Sequence, residues 1–380
     1  MRVVIAGGGV AGLTLAAKLR QQGRAPVVIE RAPEYTDIGY AIGLYALGSC
    51  VLHGLGVYQE FVNCSVQIRR YEMLDHKGAR LQELDLSTLA NQIGPLFMLS
   101  RADLIRVLCK ACADVEIRMG TTIETIDQGG GRVRVVFSDG TADEVDLLVG
   151  CDGIHSGIRA RVFGEQPVFD TGWTLWTWWG RDGLVPSDII REYWGRGFLF
   201  GAYPIRGRCM FVVALPNGAV PVQNLPNDAL RKAICAPPSE LAGHAQEVRL
   251  AFDDARTLFK WPMIDVRARP WYTGRVALCG DAAAAFLPTA GAGASNAMRS
   301  AAALADELSR ADGVHVPWAL EMYAKRCQQI VENNQSDSRK AARFAFIESG
   351  AVAWGRDELM KHYPVTRIVK QLVKSMRQPF

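Results

Sequence analysis

The residues best placed to do chemistry in this sequence are glycines. Gly7-Gly8-Gly9-Val10-Ala11-Gly12 holds a G-x-G-x-x-G at Gly7, Gly9 and Gly12. That spacing binds a dinucleotide only between a buried strand and a helix, with an acidic residue roughly twenty positions further on. All three are present. Arg2 to Ala6 is a β-branched run suited to a parallel strand covered on both faces. Leu13 to Gln22 reads as a helix that turns Leu13, Ala16, Ala17 and Leu19 toward the sheet and stops at Gly23. A second strand, Ala25 to Ile29, ends at Glu30. In this setting Gly7 permits the tight turn, Gly9 lets a pyrophosphate approach the backbone, and Gly12 lets helix and strand pack closely. The helix N-terminus favours the phosphate charge, and Glu30 accepts hydrogen bonds from an adenosine ribose. Arg31 follows and is counted with it as a cofactor-binding residue.

Three further segments could carry function. Arg101 stands at the entrance of a helix whose N-cap is Ser100, where a basic side chain reaches a phosphate. A buried strand, Val145 to Val149, runs into Asp152-Gly153. Late in the chain, Val276 to Cys279 runs into Gly280-Asp281, then Pro288 and Gly291-Ala292-Gly293, and then an Ala-rich helix to about Arg310.

These ordered motifs resemble the FAD-dependent aromatic hydroxylases related to para-hydroxybenzoate hydroxylase, the single-component class A flavoprotein monooxygenases. The resemblance covers nearly the whole chain. It implies that Asp281, after Gly280, binds ribityl or ribose hydroxyls of FAD and that Arg101 contacts the FAD backbone. Asp152 and Gly153 would organise both FAD and the approach of NAD(P)H. Pro288 and Gly291, Ala292 and Gly293 would lie against the isoalloxazine ring, where amides at a helix N-terminus stabilise an anion on the reduced flavin. The family's usual His, Gln, Asn and Asp are replaced here by Ala284, Ala292, Ser295 and Ser300.

The implied activity is a monooxygenase. NADH or NADPH reduces FAD, O₂ forms a C4a-hydroperoxide, and one oxygen passes to an aromatic or apolar small molecule. The flavin carries the chemistry, so no catalytic side chain is assigned. His53, His76, Tyr193, Tyr203 and Arg181 are candidate pocket residues, and none is chosen as a base. Two alternatives share the scaffold: a flavin oxidase, dehydrogenase or reductase, and a binding protein without catalysis. Peroxide formed without NAD(P)H would mark the first, and a protein that takes up no FAD the second.

The elements that must position these residues imply an α/β fold: a Rossmann-like FAD-binding domain interleaved with a smaller antiparallel-sheet substrate domain, plus C-terminal helices. The FAD domain is expected from 1–70, 99–165 and 275–345, the substrate domain from 71–98 and 166–274, and a helical segment from 346–380. Strands are expected at Val66 to Asp75, Arg80 to Leu86, Thr171 to Trp179, Glu192 to Trp194, Phe198 to Phe200, Cys209 to Leu215, Glu247 to Phe252 and Leu258 to Pro262. For any single Trp of Thr171 to Trp179 core packing is the better reading; collectively they suggest an aromatic wall over a flavin. Val365, Ile368, Val369, Leu372, Val373 and Met376 form an apolar stripe fit to pack on the FAD domain or a second subunit.

The net charge of +4 is too small to argue for nucleic acid. Nine irregularly spaced cysteines read as reduced, buried thiols of a cytoplasmic protein, Cys109 and Cys112 included. The six scattered histidines give no metal spacing. No apolar run reaches the roughly 18 residues a transmembrane helix needs. A monomer or homodimer is expected.

Overall fold

Val3–Ala6, wholly buried, lies near the middle of a six-stranded sheet. The strands run in the order Tyr272–Thr273, Val276–Leu278, Leu147–Gly150, Val3–Ala6, Val27–Ile29, Glu116–Arg118. All neighbours are parallel except the edge pair Tyr272–Thr273 and Val276–Leu278. Parallel strands need crossovers that cover both faces, which is why these segments read as unbroken apolar runs. Helices Val10–Gln21, Arg101–Ala111 and Gly293–Ser309 share one apolar cluster with the sheet, through Leu13, Leu104, Met298 and Leu304 among others. Val133, Val135 and Phe137, from the antiparallel meander Ile123–Asp127, Val133–Phe137, Ala142–Val145, join it. Each fully buried Leu or Val contributes roughly 1.5–3 kcal/mol against the entropy of ordering the chain. The computed structural model describes residues 1–36, 39–220, 227–236, 246–364 and 367.

A second, seven-stranded sheet lies beyond the first. Its order is Phe259–Arg267, Val168–Gly180, Arg208–Pro216, Leu199–Ile205, Ile189–Trp194, Arg70–Asp75, Arg80–Asp85. It departs from the antiparallel expectation at one pair, since Ile189–Trp194 runs parallel to Arg70–Asp75. Alternation along each strand gives it two unlike faces. Trp176, Trp178, Phe200, Phe211 and Val213 point outward, where Ile234, Val248 and Ala251 of helices Asn227–Cys235 and Gln246–Asp253 cover them. Ile190, Met210 and Val212, with half-buried Tyr71, Leu175 and Tyr203, point inward against Ala41 and Met98. Those two belong to a small sheet of Ala41–Leu44, Leu96–Ser100 and Val66–Ile68.

Three expectations are corrected. Glu247 to Phe252 is helical, because Val248, Ala251 and Ala255 recur at helical spacing and bury together. Val66 to Asp75 is two strands in two sheets; they separate at Arg69 and Arg70, whose amides both donate to the Asp188 carbonyl. The tryptophan wall faces away from the glycine motifs at Trp176 and Trp178, which are outward core. The chain continues as helices Val316–Ala345 and Gly350–His362, and the stripe from Val365 to Met376 lies, Arg367 apart, outside the described residues. All nine cysteines are free; Cys50 is exposed and Cys64, Cys109 and Cys235 are half-buried rather than buried, while Cys112 Sγ donates to the Leu13 carbonyl. Among the described residues no helix is long and apolar enough to cross a membrane.

Candidate active site

Backbone alone shapes the turn after Val3–Ala6. Gly7 has φ +111°, and a Cβ there would stand 2.3 Å from the Cys151 carbonyl oxygen. A Cβ on Gly12 would stand 1.9 Å from the Gly7 carbonyl oxygen. Gly9 is the opposite case: a Cβ built on it meets nothing within 4 Å. Gly9 is also the N-cap of Val10–Gln21, which has neither a side-chain cap nor an acid in its first turn. The structure thus offers a bare helix N-terminus beside a glycine whose outer side is open, which is the cradle a pyrophosphate fits.

Glu30 stands next to it. Its carboxylate accepts from the Gly8 and Ala32 amides, both at 2.8 Å. Two of roughly four acceptor sites are thereby used, and the others remain for a diol. Tyr35, which sequence reasoning did not single out, donates its hydroxyl to the Gly8 carbonyl at 3.0 Å. Arg31 is exposed beside this end.

Arg101 and Asp281 come from segments far apart in sequence, yet the Arg101 charge acts on the Asp281 carboxyl. Ser100 caps the Arg101 helix by accepting from the Asp103 amide at 3.0 Å, as expected. The Arg101 amide donates to the Tyr40 carbonyl. Asp281 opens a short helix after Gly280, whose φ of +62° lets the chain turn where a Cβ would strike Ala11. Asp281 is exposed to solvent, although enough protein lies around it to desolvate its carboxyl in part. The surrounding mass raises its carboxyl to about 6, with Arg101 pulling the other way. Solvent contact keeps the cost below that of a sealed group.

At the far end, Pro288–Ala290 forms a single turn and Gly291 follows at φ +57°. Ala292 is the N-cap of Gly293–Ser309, again without a side-chain cap or an acid in the first turn. Ser295 is used differently from a ring contact, since its hydroxyl accepts from the Tyr45 amide at 3.2 Å. Tyr45 itself packs against Gly291, its hydroxyl 3.7 Å from where a Cβ there would sit.

Asp152 and Gly153 are placed less directly. The Asp152 carboxylate accepts from Ser156 Oγ at 2.5 Å and from the Ile158 amide at 3.0 Å, so it holds its own turn together. The neighbouring Arg159, missed at the sequence level, is buried and donates to the carbonyls of Ala282 and Ile154. It ties the Asp152 turn to the Asp281 turn. Of the five candidate pocket residues, Tyr203 reaches the inward face and donates to Glu192 at 2.6 Å. Tyr193 is buried in the outward cluster, Arg181 pairs with Asp254 at the surface, His53 is exposed, and His76 lies in a turn of the outer hairpin.

A glycine turn shaped for a dinucleotide at the end of a parallel sheet, with a second sheet packed on the small sheet of Ala41 and Met98, defines a class that the comparisons match. The chain belongs to the family described as FAD binding domain, whose model matches residues 1–338. It is 29% identical to 3-amino-4-hydroxybenzoate 2-monooxygenase of Streptomyces cremeus, over 95% of this chain and 92% of that protein. It is 28% identical to 2-heptyl-3-hydroxy-4(1H)-quinolone synthase of Pseudomonas aeruginosa, over 96% and 94%. Among solved structures, Klebsiella pneumoniae HpxO complexed with FAD and uric acid shares the fold with a TM-score of 0.90 at 24% identity, covering 99% of this chain and 96% of that one.

Proposed function

We propose that this chain is an FAD-dependent monooxygenase that takes electrons from NADH or NADPH and places one atom of O₂ in an aromatic or apolar small molecule. The observation that carries the reading is the full-length similarity to 3-amino-4-hydroxybenzoate 2-monooxygenase, in a chain whose recess has the shape and chemistry for FAD. When bound, FAD supplies the electron transfer and oxygen activation. The chain's own residues bind, orient and exclude water. Gly7, Gly9 and Gly12 bring the first helix to the pyrophosphate, and Glu30 with Arg31 holds the adenosine end. Arg101 answers the phosphate charge at mid-recess, and Asp281, after Gly280, accepts from ribityl hydroxyls. Pro288 and the amides of Gly291, Ala292 and Gly293 support the ring, with the helix N-terminus favouring negative charge at its pyrimidine edge. Asp152 and Gly153 act at one remove, through Arg159 and the Asp281 turn.

The division into an FAD domain (1–70, 99–165, 275–345), a substrate domain (71–98, 166–274) and a C-terminal segment (346–380) belongs to the same reading. So does a cytoplasmic monomer or homodimer, for which the free cysteines and the lack of a membrane-crossing helix among the described residues are the support.

The test is NAD(P)H oxidation by the FAD-loaded protein in air, with and without a panel of phenols, quinolones and polyketide aromatics. Oxidation stimulated by one of them, with a product heavier by one oxygen atom, is the expected result. Peroxide produced in step with substrate oxidation, without a nicotinamide, would instead make it an oxidase. A purified chain that takes up no FAD would make it a binding protein.

A further inference from the structure

Under the seven-stranded sheet a carboxylate is held without a cation. Glu192 accepts from the Tyr71 hydroxyl at 2.5 Å and the Trp194 indole N–H at 2.9 Å on one oxygen, and from the Tyr203 hydroxyl at 2.6 Å on the other. Three donors around one carboxyl group, and none of them charged, is the pattern of an acceptor-only carboxylate. Among the described residues no basic side chain pairs with Glu192: Arg191 pairs with Glu72 on the other face, Arg356 pairs with Asp357, and Arg208, on the same inward face, stacks on Trp179. The carboxylate is therefore left with neutral donors alone.

Its location ties that charge to the cofactor recess. Tyr71, Glu192 and Tyr203 come from three adjacent strands and are half-buried, so they are reached by solvent rather than sealed in core. Tyr71 and Tyr203 pack in one cluster with Met98. The Met98 Sδ and the Gly291 carbonyl oxygen stand 3.4 and 3.9 Å from where a Cβ on Gly43 would sit. Tyr45 lies on the same Gly291 turn. Its ring lies against Gly291, and its hydroxyl is pushed up to about 12 by burial and by the charge of Glu192. Burial and the same charge raise the Tyr71 and Tyr203 hydroxyls well above the ordinary phenol value, so both stay protonated donors. One acceptor position on Glu192, on the oxygen that Tyr203 shares, is left for a ligand.

We propose that Glu192 sets the substrate class: the ring that lies over the Gly291 turn presents a hydrogen-bond donor, an aromatic N–H, amino or hydroxyl group, to Glu192 and carries no carboxylate at that edge. The inference rests on the monooxygenase reading only in placing the substrate beside the Gly291 turn. A carboxylate ligand would bring a second negative charge beside a carboxylate that has no ion-pair partner among the described residues. At the separations of a filled pocket that repulsion is worth about tenfold or more in affinity. An N–H or O–H ligand instead completes the acceptor shell.

The experiment is equilibrium binding to the oxidised, FAD-loaded protein, read from perturbation of the flavin spectrum, with matched pairs of small rings. 3-Hydroxybenzamide is compared with 3-hydroxybenzoate, and 4-quinolone with its N-methyl derivative. Neither reductant nor turnover is needed. The wild-type protein is expected to bind the amide and the quinolone at least about tenfold more tightly than their partners. Glu192→Gln is expected to bring each pair within about threefold, whereas Tyr203→Phe, which keeps the charge, leaves the amide-over-carboxylate preference in place. Benzoate binding as well as the amide, or no member of either pair perturbing the flavin, overturns the proposal, and the wild-type arm decides this even if Glu192→Gln fails to fold. Preference without any oxygenated product in turnover would sink the monooxygenase reading alone. Oxygenation of carboxylates would sink this inference alone.

Discussion

The two sides of the proposed site are built on different principles. The wall over the parallel sheet is backbone. At Gly7 and Gly12 a single added carbon would collide with main-chain oxygen at 2.3 and 1.9 Å, so neighbouring segments fix the turn from both sides. The wall under the seven-stranded sheet is side chain. Glu192 meets Tyr71 from 121 residues away and Tyr203 from 11 away, and the strands that carry them would pair equally well with other residues in those positions. A backbone wall can change little without losing the fold, whereas a side-chain wall can change its chemistry on an unchanged scaffold. That difference accounts for relatives that share the family while their names carry substrates as unlike as an aminohydroxybenzoate and an alkylquinolone.

The sharpest way to break the comparison is within the glycine turn. Gly12→Ala drives a methyl into the Gly7 carbonyl and should cost about 4 kcal/mol or more, seen as loss of soluble protein or of its thermal transition. Gly9→Ala adds the same methyl to open space. Its apoprotein should melt within about 1 kcal/mol of wild type, while FAD affinity falls at least about tenfold because the methyl occupies the pyrophosphate's approach. Equal FAD affinity in Gly9→Ala, measured by flavin fluorescence on titration, would remove the cofactor from this wall.

A smaller effect should follow pH. Asp281 is raised to about 6, chiefly by partial desolvation from the protein around it. The folded apoprotein therefore holds a proton that the unfolded chain has released between about pH 4 and 6, and its stability declines as pH rises through that window. FAD hydroxyls donating to Asp281 favour the carboxylate, so FAD affinity should run the other way, rising toward pH 6 and levelling above it. Each pH unit below about 6 should weaken FAD by up to about tenfold, and Asp281→Asn should flatten both slopes. An unchanged FAD profile in the variant would remove Asp281 from the ribityl contact.

The same contrast explains what was legible in the sequence. Gly7, Gly9, Gly12 and Glu30 could be read because turn geometry dictates residue type at fixed spacing, and Ser100 because an N-cap does likewise. Arg159 left no such trace, since its partners are carbonyls of Ile154 and Ala282, and any carbonyl has the same chemistry. Glu192 was hidden differently: within Glu192-Tyr193-Trp194 the alternation shows that Tyr193 opposes its neighbours, but not which face meets the recess. The helix at Gln246–Asp253 reads as a strand in the sequence because Val248, Leu250 and Phe252 alternate over a stretch too short to exclude either period.

The tryptophan run sharpens the comparison at its smallest scale. Trp178 is fully buried on the outward face, donates its indole N–H to the Ala251 carbonyl at 2.8 Å, and packs among Phe200, Phe211 and Phe252. Trp178→Phe removes part of that volume and leaves the carbonyl short of a donor, which should cost about 2 kcal/mol of stability. Because the strand alternates, none of that loss should reach the inward face. The variant is expected to melt earlier while binding FAD and the neutral ring probes as the wild type does. A shift in ring affinity comparable to that of Glu192→Gln would mean that the two faces of the sheet are coupled, and that the outward core takes part in choosing the substrate.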